Sequence, residues 1–317
     1  MKTTVLEKKN VLDEALKKIQ KPGIKEILQV QQAIIRGTHE FMFEKNLVQM
    51  MPLMLSPITD PLNHSVVDAS IEYANQKWSL MKSMIFHKQL AVSNPELAAI
   101  YIVSPNVRLE LADRQETGRH LFEFTQVDFE FNNKNKEFVM GFMEELINYL
   151  FSYLNRQIPE ILIKLRGQLL PEYEKLAVYR TEELEQEYGD DAEIKKSLDC
   201  KEPFWLLNHK REFYDREDPS KPGTYLNYDI IWPLGFGEGL SGAEREYDYK
   251  QILKRMEETG TDKTVFKNYL SAAKSGLLVP SAGAGFGVER MTRFICQLKD
   301  IDEATVFSRK PFSELIF

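Results

Sequence analysis

The sequence predicts an α+β fold, an antiparallel sheet flanked by helices, on three observations. Residues 98–111 and 122–131 alternate apolar and polar side chains, the period of a strand with one face on a core. Two other stretches, residues 24–45 and 137–155, repeat apolar residues every three or four positions, the period of an amphipathic helix. Near the end, Gly283, Gly285 and Gly287 alternate through a short strand that runs into the apolar series Met291-Thr-Arg-Phe-Ile295. Helices segregated around antiparallel strands, rather than alternating with them, define the class.

The elements follow in order. Residues 9–20 carry Leu12, Ala15, Leu16 and Ile19 at helical spacing and stop at Pro22-Gly23. The long helix of residues 24–45 places Ile27, Val30, Ile34 and Phe41 on one stripe. Residues 47–55 read as a strand interrupted by Pro52, which suits an edge or an interface. The antiparallel pair is joined by the polar loop from Ala112 to Arg119. After the helix of residues 137–155, residues 158–199 are rich in Glu, Lys and Tyr and read as a helical surface insertion. Strands return at 203–208 and 225–233, followed by a glycine-rich bend, a helix at 264–274 and the terminal glycine strand and helix. The 317 residues are read as one domain, with residues 1–45 leading into an interface segment.

Composition narrows the function. With 43% apolar residues and 19 Phe the chain has material for a large core, and 28% charged residues suit a water-facing surface. The formal net charge of −7 gives no global field for nucleic acid. Cys200 and Cys296 match no metal spacing and read as reduced thiols. The charged N-terminus is unlike a signal peptide, and no uncharged apolar run is long enough to span a bilayer, so a cytoplasmic location without membrane association is expected.

Two places suggest chemistry. The alternate glycines lack the side chains that would hold a ligand off the strand, and Arg290 falls in the first turn of the following helix. A helix N-terminus beside a guanidinium is suited to a polyphosphate, although a turn into a core helix would read the same way. In the strand pair, the even positions carry Arg108 and Glu110 on the first strand and Phe124, Gln126, Asp128 and Glu130 on the second. That is unusual content for a solvated face, although an ordinary amphipathic hairpin gives the same alternation.

Together these segments resemble the catalytic core of class II aminoacyl-tRNA synthetases of the aspartyl/asparaginyl type. The long helix running into Leu47-Val-Gln-Met-Met-Pro52 is similar to the first signature of that family, which builds a homodimer interface, with Asn46 in place of the usual glycine. The hairpin is similar to the second signature and the glycine strand ending in Arg290 to the third. The resemblance implies ATP and Mg²⁺. It assigns Arg108 to the α-phosphate, Glu110 to the adenine amino group and Phe124 to stacking on the ring. His120 and Gly287 complete the nucleotide site, and Arg290 takes the γ-phosphate. It places the metal on Asp229, Glu238 and Ser241. For the amino acid it implies Lys88 and Arg245 as cations, with Asp60, Ser83, Gln126 and Asp128 around the ammonium. Arg108, Arg290 and Lys88 are the implied catalytic groups, and the lysine favours aspartate.

The stretch before the long helix is too short for the anticodon-reading barrel of those enzymes. Leu55-Ser-Pro-Ile-Thr-Asp60-Pro, Glu202-Pro-Phe-Trp205, Arg211-Glu-Phe-Tyr-Asp-Arg-Glu217 and Pro280-Ser-Ala-Gly-Ala-Gly285 resemble archaeal-type asparagine synthetases. The implied reaction is aspartate + ATP + ammonia giving asparagine + AMP + diphosphate, through a β-aspartyl adenylate. Lys88 and Arg245 would then hold the substrate α-carboxylate, and no tRNA partner is expected. Asp113, Glu116, His87 and Asp60 stand as candidates to take the proton from ammonia. Two rivals remain: a relative that adenylates aspartate or asparagine and passes it to a tRNA or other acceptor, and a non-catalytic nucleotide-binding paralogue.

Overall fold

The computed structural model describes residues 2–314. Its frame is an eight-stranded sheet in the order Val48–Met50, Ala99–Val107, Glu123–Asn132, Ser281–Gly287, Gly237–Glu244, Asn227–Trp232, Phe204–Leu207 and Ala177–Arg180. The six central strands are antiparallel, whereas both edge pairs are parallel. Helices Ile24–Glu44 and Lys136–Gln157 pack on one face, together with helix Val288–Cys296. Strand alternation sets which face is which. Val127, Phe129 and Phe131 turn into a core with Phe41, Phe142, Met143 and Leu146, and Gln126, Asp128 and Glu130 turn to the opposite face. Burying each such side chain contributes about 1.5–3 kcal/mol, so the odd-numbered positions anchor the strand that carries the even-numbered polar ones.

The predicted fold class holds, with local differences. Residues 47–55 form a main-sheet strand only over Val48–Met50, paired in parallel with Ile100–Ile102. Asn46, where glycine was expected, has φ 59°, a left-handed conformation that asparagine tolerates better than most residues. The predicted hairpin pairs only as far as Val107 and Glu123. At Arg108 the chain turns tightly, with the Glu110 amide donating to the Arg108 carbonyl at 2.7 Å, and Leu109–Glu110 pairs with Val66–Val67 instead. The segment 158–199 is more than a helical insertion, because Ala177–Arg180 supplies the outermost strand of the sheet. Helix Tyr249–Thr259 was not predicted, although Asp248 caps it by accepting from the Lys250 and Gln251 amides and Gly260 ends it at φ 66°. Nor was the small hairpin Ser70–Tyr73 with Gln76–Leu80, whose turn residues Ala74 and Asn75 both have positive φ.

Candidate functional site

The polar face of the sheet floors a cavity of about 750 Å³, and every residue assigned above to nucleotide, amino acid or metal lines it. The two ends differ in character. At one end, the Arg108 guanidinium carbon lies 5.2 Å from the centre of the Phe124 ring, and its Nε donates to the Lys82 carbonyl at 3.2 Å. Glu110 is buried and accepts from His64 Nε2 at 3.0 Å. Burial alone would raise its carboxyl, but the His64 hydrogen bond and charge outweigh that and hold it below the usual carboxylate value. Burial and the nearby Arg290 push His120 down to about 4, leaving a neutral ring whose Nδ1 lies 2.6 Å from Thr117 Oγ1. Arg290 enters from the first turn of its helix and donates from Nη1 to Glu238 Oε1 at 3.0 Å. A Cβ on Gly287 would meet only ordinary contacts at 3.8 Å, so this position does not itself demand glycine.

Gly283 and Gly285 are far tighter. A Cβ on Gly285 would lie 2.4 Å from Asp128 Oδ1 and 2.6 Å from Gln126 Nε2; on Gly283 it would lie 2.2 Å from both Glu130 Oε2 and the Phe129 carbonyl. The glycine strand is therefore bare because its neighbour's carboxylates lie across it. Beneath it, Lys88 Nζ donates to Asp128 Oδ1 at 2.9 Å and sits 3.7 Å from Glu130 Oε2. Arg245 pairs with Glu130 at 3.1 Å, with Asp215 3.8 Å from its Nη1. Asp60 accepts from the Tyr214 hydroxyl at 3.1 Å. Asp128 Oδ2 is buried and has no hydrogen-bond partner.

The sequence pattern missed three groups that shape this floor. Glu130, fully buried, contacts both Lys88 and Arg245, and belonged to the alternating face without being assigned a role. Arg211 donates from Nη1 to Asp229 Oδ1 at 2.9 Å, to Oδ2 at 3.1 Å and to Ser241 Oγ at 2.8 Å. Glu193 reaches the nucleotide end from the segment read as a surface insertion, and accepts from the Glu238 amide at 3.2 Å. Nothing in the local sequence marked it. Of the four candidate proton acceptors, only Asp60 lines the cavity. Asp229 and Ser241 are occupied by Arg211, and Glu238 is paired with Arg290, so as arranged these residues do not fit a Mg²⁺ ion. Among the described residues no group of three or more His, Cys, Asp or Glu is arranged to hold a metal. Cys200 and Cys296 are both free thiols.

A glycine strand and a charged hairpin strand side by side, over a cavity with an arginine at each side of its nucleotide end, define a class of proteins. Residues 7–311 match the family described as tRNA synthetases class II (D, K and N), and this chain belongs to that family. Asparagine–tRNA ligase of Pyrococcus abyssi is 26% identical over 312 residues, spanning 92% of this chain and 70% of the relative. The enzyme of the same name from Lactobacillus delbrueckii subsp. bulgaricus is 28% identical over 313 residues, 89% of this chain and 68% of the relative. In fold, the chain is similar to asparaginyl-tRNA synthetase from Pyrococcus horikoshii complexed with asparaginyl-adenylate, with a TM-score of 0.86 at 24% identity, covering 96% of this chain and 73% of that one.

These relatives overturn two expectations. Archaeal and bacterial relatives alike are named asparagine–tRNA ligases, which overturns the reading as an ammonia-dependent asparagine synthetase. The expectation of no tRNA partner fails with it. The net charge of −7 does not argue against tRNA, because it is a sum over the whole surface and says nothing about a local basic face. No described helix is long and apolar enough to cross a membrane.

Proposed function

We propose that this chain forms asparaginyl-adenylate from asparagine and ATP and passes the asparaginyl group to tRNA. The observation that carries the choice of amino acid is the charge state of the cavity floor. Lys88 and Arg245, the two cations that were to clamp a dicarboxylate, already face Asp128, Glu130 and Asp215. A side-chain carboxylate would add a further negative group to that buried set, in which Lys88, Arg245 and also Arg211, 3.3 Å from Asp215, are already paired. An amide adds no charge. Its NH₂ donates to the orphaned Asp128 Oδ2, and its carbonyl accepts from Arg245 Nη1, whose nearest carboxylate is 3.8 Å away.

In this pose the α-carboxylate points toward Arg108. It attacks the α-phosphorus of ATP, the bond to the bridging oxygen breaks, and diphosphate leaves. Arg108 and Arg290 offset the negative charge that accumulates on the phosphoryl oxygens, and Glu110 and Phe124 hold the adenine. A ribose hydroxyl at the tRNA end then displaces AMP from the adenylate. The protein supplies alignment and charge, and no side chain becomes covalently bonded. The exposed apolar row Phe43, Val48, Met51 and Met54, beside the first strand, supports assembly with a second copy.

The test is ATP–diphosphate exchange with purified chain and each amino acid in turn. Asparagine is expected to drive exchange at least about a hundredfold faster per unit concentration than aspartate, the scale of leaving a buried charge unpaired. Exchange driven by aspartate and not by asparagine would overturn the choice of substrate.

A further inference from the structure

We infer that Arg211 is a resident cation, built into the place between Asp229 and Ser241 where a divalent ion would have to sit, so that the nucleotide-free protein takes no metal there. One nitrogen, Nη1, contacts both Asp229 oxygens and Ser241 Oγ within 3.1 Å. A divalent ion bound to those atoms at roughly 2.1 Å would occupy the same space as Nη1. Arg211 is also anchored from other sides. Its Nη2 lies 3.3 Å from Asp215 Oδ2, and the same nitrogen donates to the Gly242 carbonyl at 3.3 Å. The Arg211 carbonyl is held in turn by Arg255 Nη2 at 3.2 Å. This is a tethered guanidinium rather than a surface side chain free to swing away.

Chemistry makes the occupancy permanent. A guanidinium keeps its proton throughout the range in which proteins fold, so neither mild acid nor base vacates the place. A metal ion exchanges with solvent; this charge does not. Arg211 is a positioning residue on this account, since it fixes the Asp229 carboxylate and the Ser241 hydroxyl beside the nucleotide end without itself meeting the reacting atoms.

The inference is tested without reference to activity, by titrating the nucleotide-free full chain with Mn²⁺ and counting bound ions by electron paramagnetic resonance. Wild type is expected to show no Mn²⁺ site that Asp229→Asn abolishes. Arg211→Gln, checked for folding by circular dichroism, is expected to gain one site. Its affinity should exceed any wild-type binding there by roughly a hundredfold or more, because the guanidinium that fills the place and repels a second cation is gone. Adding Asp229→Asn to that variant should remove the site. A wild-type Mn²⁺ site lost in Asp229→Asn, or a folded Arg211→Gln variant that gains none, overturns the inference. Should Arg211→Gln fail to fold, the comparison of wild type with Asp229→Asn decides alone.

Discussion

Glu130 and Arg245 form a two-point ion pair sealed under the cavity floor, with Arg245 Nε 3.1 Å from Oε1 and Nη2 3.2 Å from Oε2. Glu130 is fully buried and also accepts from the Ser281 hydroxyl at 2.9 Å. The pair welds the hairpin strand, the glycine strand and Gly237–Glu244 through side chains as well as backbone.

Replacing Glu130 with Gln leaves Arg245 buried without its main counter-charge. Destabilisation of about 3–5 kcal/mol is expected, read as a lowered urea midpoint. A loss below about 1 kcal/mol, the range of exposed pairs, would show that water reaches Arg245.

The two close glycines should fail in different ways. In Gly285→Ala the new methyl meets the side-chain ends of Asp128 and Gln126, which can shift. The variant is expected to fold while the KM for the amino acid rises. In Gly283→Ala the methyl also meets the Phe129 carbonyl, which is backbone and cannot give without opening the sheet. Loss of about 1–3 kcal/mol or more in stability is expected there. Equal unfolding midpoints for the two variants would contradict this distinction.

Arg108→Ala and Arg290→Ala each remove a cation from the nucleotide end while leaving the core untouched. Each should lower the rate of ATP–diphosphate exchange by about 10²–10³ with little change in thermal midpoint. An effect confined to the KM for ATP would show that the arginine binds the ground state and the transition state equally.

Much of the site could be read from strand parity. Once residues 122–131 are a strand, Phe124, Gln126, Asp128 and Glu130 must share a face, and the alternate glycines must lie against something bulky. What parity cannot give is pairing among charges. Lys88 and Arg245 are cations in any reading of the sequence, but only the fold places Glu130 within reach of both, so that each is already paired. Arg211 and Glu193 come from segments distant in sequence that converge on Asp229 and Glu238, a relationship set by sheet order and not by local pattern.

Glu193 makes stability depend on pH. Burial, with Glu238 and Asp229 nearby, raises its carboxyl from 4.5 to about 7. A carboxyl raised on folding favours the native state while protonated. Its contribution is complete below pH 4.5 and lost as the pH climbs through about 7. Between pH 5.5 and 8 the urea midpoint of wild type should therefore fall more than that of Glu193→Gln, as read from denaturation curves at both values. Parallel falls in the two proteins would remove Glu193 as the cause.

The central claim is that the cavity activates a neutral amide-bearing amino acid for tRNA. Its most direct test is transfer of radiolabelled asparagine to tRNA by the purified chain with ATP, with AMP counted alongside. Labelled asparaginyl-tRNA appearing in step with AMP is the expected result. AMP formation from aspartate with no amino acid attached to tRNA would contradict the account.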